Sequence, residues 1–199
     1  MTQTQETALI TGSSRGIGKA IAFELAERGY KNLVLVALEG DELKASKSDL
    51  RSKYQFQDSW PKIIQQDLTA AGAVENLLSS LEEIGVQVDI LVNNAGIGAQ
   101  GRFSQTSPAK AKNLIRLNVE AVVKITRLIL ERMEDGGHGK ILNVGSIAGF
   151  QPVPQMAAYS GSKAFIRSFT DSLWFQKRET PEMLPVCIQE KQKLPSENE

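Results

Sequence analysis

The glycine-rich turn at residues 11–18 is the feature that most constrains how this chain can fold. A short apolar run at residues 7–10 leads into the turn, and an amphipathic segment follows it as far as Arg28. Gly29 then stands at a position typical of a helix C terminus. The order of apolar run, glycine turn and amphipathic segment predicts a β-strand, a tight turn and an α-helix.

The glycines of this turn suit the binding of a phosphate. Gly12 can adopt a positive φ, while Gly16 and Gly18 let the backbone approach a phosphate and let the helix pack against the sheet. The helix start offers unpaired N–H groups and a positive dipole end to an anion. The spacing G-x-x-x-G-x-G differs from the common G-x-G-x-x-G fingerprint. We interpret the turn as a phosphate-binding turn, and the alternative is a tight connection with no ligand.

Apolar runs and helical patterns alternate along the rest of the chain. The predicted strands are residues 32–38, 61–66, 89–92, 140–144 and 184–188, and the predicted helices are residues 41–53, 70–84, 107–133 and 157–178. This alternation favours an α/β fold with a single Rossmann-like, doubly wound parallel sheet and helices on both faces. Ligands of such sheets bind beyond the carboxyl ends of the strands. Gly12, Asp67, Asn93 and Ser146 follow predicted strands, so we expect them at one edge of the sheet.

Tyr159 and Lys163 have the spacing of a tyrosine-based general acid/base. On a helix their side chains lie on one face, one turn apart. A phenol with a pKa of ~10 is a poor base at neutral pH, and a nearby ammonium lowers that pKa by favouring the phenolate. The hydroxyl of Ser146 can hydrogen-bond the reacting oxygen, so the three residues suit proton transfer at a carbonyl or alcohol. Considered alone, the pair could also be a packed surface tyrosine beside a solvated lysine.

Composition excludes several classes of function. Lys and Arg number 23 and Asp and Glu number 23, so nothing points to nucleic acid or an anionic membrane as partner. Cys187 is the only cysteine, which excludes an internal disulfide and fits a reducing compartment. We find no signal-peptide pattern, no apolar run near the ~20 residues of a membrane span and no cluster with metal-ligand spacing. We expect a cytoplasmic protein without a metal, in which the sole histidine, His138, is a solvated loop residue.

Together these motifs resemble the short-chain dehydrogenase/reductase family, whose nicotinamide-dependent members are built on one Rossmann-type domain. The resemblance covers about residues 7–178 and rests on the motifs Thr11-Gly12-x-x-x-Gly16-x-Gly18, Asp67, Asn93-Asn94-Ala95-Gly96, Asn118, Ser146 and Tyr159-x-x-x-Lys163. It implies an NAD(P)-dependent oxidoreductase that interconverts a carbonyl and an alcohol by hydride transfer. It also implies a homodimer or homotetramer that pairs through the helices of residues 107–133 and 157–178.

The resemblance implies catalytic roles for four residues. Tyr159 would be the general acid/base, and Lys163 would lower its pKa and hold the nicotinamide ribose. Ser146 would polarise the substrate oxygen. Asn118 would anchor a water in a proton relay through Lys163; the alternative for Asn118 is an amide that satisfies the local helix backbone.

The resemblance also implies a set of cofactor-binding residues: Gly12, Ser14, Arg15, Gly16, Ile17, Gly18, Asp67, Leu68, Asn94, Ala95, Gly96, Tyr159 and Lys163. Asp67 would accept a hydrogen bond from the adenine amino group, with Leu68 alongside. The alternative for Asp67 is the N-cap of the next helix. Asn93 would brace the sheet, while residues 94–96 would line the cofactor cleft.

The preferred cofactor depends on the end of the second strand. NAD-preferring members have an acidic residue there for the ribose 2′-hydroxyl, and NADP-preferring members often have an arginine at the next position. Here these positions are Ala37 and Leu38. Arg15 matches another position at which the family uses a basic residue for the 2′-phosphate. We predict NADP(H), with NAD(H) as the alternative because Glu39 could still reach a ribose.

The expected substrate is a small, apolar carbonyl compound or alcohol. Phe150, Val153 and Met156 lie between Ser146 and Tyr159 and could line an apolar pocket, although ordinary loop packing explains them as well.

The C-terminal part departs from the family pattern. Members usually continue past the sixth strand with a Pro-Gly turn, a substrate lid and a seventh strand, whereas residues 190–199 here are polar and predicted to be disordered. We therefore expect one domain, residues 1–189, truncated at its C-terminal end with the last strand or strands missing. The alternative function is a truncated, catalytically weak or inactive nucleotide-binding or interaction protein.

Overall fold

Parallel strands form the central sheet in the computed structural model, which describes residues 4–177 and 183–188. The strands are β1 (Thr4–Thr11), β2 (Tyr30–Ala37), β3 (Lys62–Gln65), β4 (Ile90–Asn93), β5 (Gly139–Val144) and β6 (Met183–Ile188). The helices are α1 (Gly16–Glu27), α2 (Gly40–Lys53), α3 (Ala73–Glu83), α4 (Pro108–Ile115), a π-helical segment (Arg116–Ala121), α5 (Val122–Gly136) and α6 (Ala157–Lys177). Short 3₁₀ turns occur at Phe103–Gln105 and Ile147–Gly149.

The strand order places a crevice between β1 and β4. The six strands of the described residues are ordered β3-β2-β1-β4-β5-β6, and every neighbouring pair is parallel. The chain builds outward from β1 to β3 and then returns to the other side of β1 with β4. In doubly wound sheets a ligand binds where the order reverses, beyond the carboxyl ends of the strands. The predicted fold class is confirmed.

Two apolar layers cover the sheet because its strands alternate their side chains between the faces. Leu9 and Leu91 pack in the layer that includes residues of α3 and α5. Ile10 and Leu35 pack in the opposite layer with residues of α1 and α2. Strands buried on both faces need apolar residues at consecutive positions, which explains the continuous runs in the sequence.

The element predictions hold with differences at the boundaries. Ser107 caps α4, since its Oγ accepts a hydrogen bond from the Lys110 amide at 3.2 Å and Pro108 occupies the first turn. The helix predicted for residues 107–133 is interrupted by the π-helical segment. The helix predicted from residue 70 begins at Ala73 instead, because Gly72, with φ of 73°, precedes it in a left-handed conformation. The sixth strand is confirmed and pairs with β5. Residues 190–199 lie outside the described residues.

Candidate functional site

A cleft of about 490 Å³ opens at the carboxyl ends of β1, β2 and β4. Its size falls within the ordinary range of small-molecule sites, ~300–1,000 Å³. Of the residues predicted to bind a cofactor, those lining the cleft are Gly12, Ser14, Arg15, Ile17, Asp67, Leu68, Asn94, Ala95 and Gly96. Glu39 and Thr69 also line it, together with Ala37 and Leu38. The fold thus gathers residues from distant parts of the sequence at one site.

The glycine turn is packed so closely that two of its positions exclude a side chain. A Cβ at Gly12, where φ is 67°, would lie 2.7 Å from Asn94 Nδ2. A Cβ at Gly18 would lie 2.2 Å from the Gly12 carbonyl oxygen. At Gly16 the space around a Cβ is open, so a side chain there would meet no neighbour. Glycine is favoured at this position by its positive φ of 57°. No side chain caps the start of α1, so its first N–H groups remain available to a phosphate.

Thr11 and Asn94 join the two strands that flank the crevice. Asn94 Nδ2 donates to the carbonyl oxygens of Thr11 and Gly12, both at 3.0 Å. Thr11 Oγ1 accepts from the amides of Asn94 and Ala95 at 3.0 and 3.1 Å and donates to the Val92 carbonyl at 3.2 Å. These bonds hold the walls of the cleft at a fixed separation. The sequence analysis included Thr11 in the glycine motif but gave its side chain no role, although a polar side chain at the end of an apolar strand is a signal of one.

A buried amide network braces the sheet beside the cleft. Asn93 Nδ2 donates to Asn143 Oδ1 at 2.8 Å and to Thr126 Oγ1 at 2.9 Å. Asn143 Nδ2 donates in turn to Thr170 Oγ1 at 2.9 Å. The network therefore links β4 and β5 to α5 and α6. Sequence reasoning assigned a bracing role to Asn93 alone, although Asn143 stands out as a polar residue within an apolar strand.

Tyr159 and Lys163 are buried at the start of α6. Their exposed fractions are 4% and 8%. Lys163 Nζ donates to the Val144 carbonyl at 2.8 Å and lies 5.8 Å from the centre of the Tyr159 ring. Because Val144 ends β5, this bond fastens the start of α6 to the carboxyl end of the sheet. The burial does not fit the alternative of a solvated lysine on a surface helix.

Ser146 lies in the loop that connects β5 to α6. Its side chain is buried, and its Oγ accepts a hydrogen bond from the Ala148 amide at 3.2 Å, capping the short 3₁₀ turn. A Cβ at Gly149 would lie 2.7 Å from the Lys163 carbonyl oxygen, so this loop rests directly on the α6 backbone. The fold thus brings the loop of Ser146 against the helix that carries Tyr159.

Asn118 connects the π-helical segment to the cleft wall. Its Oδ1 accepts from the Ile97 amide and its Nδ2 donates to the Ile97 carbonyl, both at 2.9 Å. The same Nδ2 donates to Ser162 Oγ at 3.1 Å, and Ser162 Oγ donates to the Tyr159 carbonyl at 2.7 Å. The amide therefore does not satisfy its own helix, which was the alternative. π-Helical turns often occur at functional sites, and this one directs Asn118 towards α6.

Asp67 forms a local turn that lines the cleft. Its Oδ1 accepts from the Thr69 amide at 2.8 Å and from Thr69 Oγ1 at 2.7 Å. The alternative that Asp67 caps the next helix is wrong, because α3 begins at Ala73 and Gly72 occupies the N-cap position. Asp67 and Leu68 are placed at the cleft by this turn rather than by a helix start.

Arg15 lies at the rim of the cleft between two carboxylates. Its side chain is 72% exposed, with Nη2 at 3.8 Å from Glu39 Oε1 and Nη1 at 3.5 Å from Glu42 Oε1. Ser14 Oγ donates to Glu39 Oε2 at 3.5 Å. Glu39 therefore lies against the glycine turn, close to where it was expected to reach a ribose.

The apolar residues of the loop before α6 pack against two different parts of the structure. Val153 and Met156 pack with a buried cluster that contains Leu114 and Tyr159. Phe150 instead lies under Arg167 of α6, with the guanidinium carbon 3.9 Å from the ring centre. Tyr159 consequently has apolar neighbours, and Phe150 contributes to the outer surface.

The model of the family described as short chain dehydrogenase matches residues 6–181. The chain belongs to the short chain dehydrogenase family. It therefore carries the nucleotide-binding, Rossmann-like domain of an oxidoreductase family.

Two similar proteins are named as a hydroxysteroid dehydrogenase and a 3-oxoacyl-CoA reductase. The chain is 37% identical over 175 residues to 17-beta-hydroxysteroid dehydrogenase type 3 of Mus musculus, covering 86% of this chain and 55% of that protein. It is 36% identical over 170 residues to very-long-chain 3-oxoacyl-CoA reductase-B of Danio rerio, covering 83% and 53%. The chain thus spans about half the length of these relatives.

A solved short chain dehydrogenase has the same fold. It is a short-chain dehydrogenase from Sphingobium yanoikuyae in complex with NADPH, with a TM-score of 0.85 and 31% sequence identity. The match covers 94% of this chain and 71% of that one.

No helix within residues 4–177 is both long and apolar enough to cross a bilayer. Among the described side chains, no group of three or more His, Cys, Asp or Glu residues is placed to hold a metal ion.

Proposed function

We propose that the chain is an NAD(P)-dependent oxidoreductase that interconverts a carbonyl and an alcohol, with Tyr159 as the general acid/base. The observation that supports this most directly is the position of Lys163. It is buried one helical turn from Tyr159 and bonded to the carbonyl that ends β5, at the same edge of the sheet as the cleft. A buried ammonium at this position favours the phenolate form of its neighbour.

The proposed chemistry divides between cofactor and protein. When bound, the nicotinamide cofactor supplies or accepts the hydride. Tyr159 gives its phenolic proton to the carbonyl oxygen as the carbonyl carbon is reduced, and it removes the proton from the alcohol in the reverse direction. The Lys163 ammonium stabilises the phenolate that remains after proton donation. Ser146 donates a hydrogen bond to the substrate oxygen, and Asn118 holds the loop at Ile97 in place beside the cleft.

NADP(H) is the proposed preferred cofactor. Arg15 lies at the rim of the cleft with a largely exposed guanidinium, and the second strand ends in Ala37 rather than in an acidic residue. A guanidinium pairs well with a phosphate because its N–H groups can form two parallel bonds. The similar enzyme from Sphingobium yanoikuyae was solved with NADPH.

The proposed substrate is an apolar ketone or the corresponding alcohol. Val153 and Met156 pack in the same cluster as Tyr159, so a substrate oxygen near the phenol would have apolar surroundings. The names of the two sequence relatives, a hydroxysteroid dehydrogenase and a long-chain oxoacyl-CoA reductase, support this substrate class.

The function is tested by Tyr159→Phe, which removes only the acid/base oxygen. We expect kcat with NADPH and a panel of apolar ketones to fall by about 10²–10⁴-fold, as is usual for loss of a general acid. The dissociation constant of NADPH, measured by fluorescence, should change little. Tyr54→Phe is the matched control, since Tyr54 bonds Glu27 on the other side of the fold and should keep full activity.

Two outcomes would contradict the proposal in different ways. A Tyr159→Phe variant that keeps most of its kcat would exclude this mechanism. Dinucleotide binding by the unaltered chain without turnover of any ketone would instead favour the alternative of a nucleotide-binding protein with little or no catalysis.

A further inference from the structure

The guanidinium of Arg15 is shared between the cleft and helix α2. Glu39 lines the cleft, whereas Glu42 lies outside it in the first turn of α2. Both carboxylates are within ion-pair distance of Arg15, at 3.8 Å and 3.5 Å. One cation therefore faces two anions, of which one lines the cleft and the other does not.

The two carboxylates beside Arg15 should affect the binding of NADP(H) and NAD(H) differently. A 2′-phosphate that pairs with Arg15 must compete with carboxylates already beside the guanidinium, and its negative charge is repelled by them. NAD(H) carries a hydroxyl at this position, so it neither needs Arg15 nor meets this repulsion. The two carboxylates should therefore lower the affinity for NADP(H) relative to the affinity for NAD(H).

We propose that Glu42, acting from outside the cleft together with Glu39, lowers the preference for NADP(H) over NAD(H) by competing with the 2′-phosphate for Arg15. This inference rests on the proposed function. Glu42 is a specificity-determining residue that acts through Arg15 and does not line the cofactor cleft. The pair is exposed, so its effect is moderate and is weakened by salt.

The experiment compares Glu42→Gln with Asp41→Asn. Both variants remove one negative charge from the first turn of α2, but Asp41 pairs with Lys44, at 3.3 Å, rather than with Arg15. Dissociation constants for NADPH and NADH are measured by nicotinamide fluorescence at low and high salt. At low salt we expect Glu42→Gln to strengthen NADPH binding by about two- to fivefold and to leave NADH unchanged. Asp41→Asn should have a much smaller effect.

A double-mutant cycle tests whether the effect passes through Arg15. Arg15→Ala should weaken NADPH binding far more than NADH binding. In that background, Glu42→Gln should lose most of its effect on NADPH, because the carboxylate no longer has a guanidinium for which to compete. Glu39→Gln should raise the preference for NADPH at least as much as Glu42→Gln, since Glu39 lines the cleft.

The possible results separate this inference from the proposed function. If both dinucleotides bind and Glu42→Gln leaves the ratio of their dissociation constants unchanged, the inference is wrong and the proposed function stands. Equal effects of Glu42→Gln and Asp41→Asn would show a general charge effect and also overturn it. If the unaltered chain binds neither dinucleotide, the proposed function and the inference fail together.

Discussion

At the scale of single residues, the site depends on positions where a side chain would not fit. Gly18 belongs to α1 and has ordinary helical geometry, yet a Cβ there would meet the Gly12 carbonyl oxygen at 2.2 Å. Glycine is required at this position by close packing and not by backbone conformation. Gly161, in α6, has open space around the position of a Cβ. The same residue type is therefore essential in one helix and replaceable in the other.

This contrast predicts opposite effects of the same substitution. Gly18→Ala should lower the free energy of unfolding by about 1–3 kcal/mol through overpacking and should weaken dinucleotide binding by displacing the turn. Gly161→Ala should raise the free energy of unfolding by up to ~1 kcal/mol, because alanine has the higher helix propensity. Urea denaturation of both variants measures these changes. Similar stabilities for the two variants would show that the turn is looser than its geometry indicates.

At the scale of elements, a polar cluster fastens the strands at the end of the sheet opposite the cleft. Asp89 Oδ2 accepts from the Thr7 amide at 2.7 Å, and Asp89 Oδ1 lies 3.0 Å from His138 Nε2. His138 Nδ1 is 2.9 Å from the Gly136 carbonyl oxygen. Both ring nitrogens thus face acceptors, which the imidazolium satisfies by donating twice. His138 is exposed as predicted, but it is paired with Asp89, which the sequence pattern did not indicate.

The pairing of His138 predicts a pH dependence of stability. The Gly136 carbonyl and then the Asp89 carboxylate raise the pKa of His138 above its ordinary value of 6.5. The pairing therefore contributes to stability fully below pH 6.5, and this contribution is lost as the pH rises through the raised pKa of the folded state. We expect His138→Gln to lower Tm more at about pH 5.5 than at about pH 8.5. A constant difference in Tm between variant and wild type across this range would contradict the role of the charged ring.

At the scale of the whole molecule, apolar side chains remain exposed on the helices expected to form a subunit interface. Ile115 of α4 is 45% exposed, and Phe165, Trp174 and Phe175 of α6 are 44%, 40% and 63% exposed. Helices α4 and α6 pack against each other. Where such side chains form a contiguous patch, they mark an interaction site. A homodimer or homotetramer remains our proposal, and a cytoplasmic location remains a prediction.

The proposed assembly can be tested by changing one of these side chains. Sedimentation velocity at micromolar concentration should show a dimer or larger species for the unaltered chain. Phe165→Asp should shift it towards the monomer, because a charge buried in an interface without a partner is unfavourable. The control is Phe103→Asp in the 3₁₀ turn, where the ring is 61% exposed and the assembly should persist. A monodisperse monomer of the unaltered chain would refute the proposal.

The sequence by itself determined the order of strands and helices, the fold class and the edge of the sheet at which the cleft forms. These features depend on local patterns: apolar runs for buried strands, the Ser107-Pro108 helix start and glycines at turns. Strand ends of a parallel sheet lie at a common edge, so the positions of Gly12 and Asp67 after predicted strands sufficed to place them together.

Only the tertiary structure decided how side chains distant in sequence meet. The π-helical turn at Asn118 accompanies bonds to Ile97 and Ser162, neither of which belongs to its own helix. Likewise Arg15 meets Glu42 only because α2 begins beside the glycine turn. Local preferences act over a few neighbouring residues, whereas such contacts depend on how β-strands and helices pack across the sheet. That packing brings each polar group to its partner, and no short stretch of sequence encodes it.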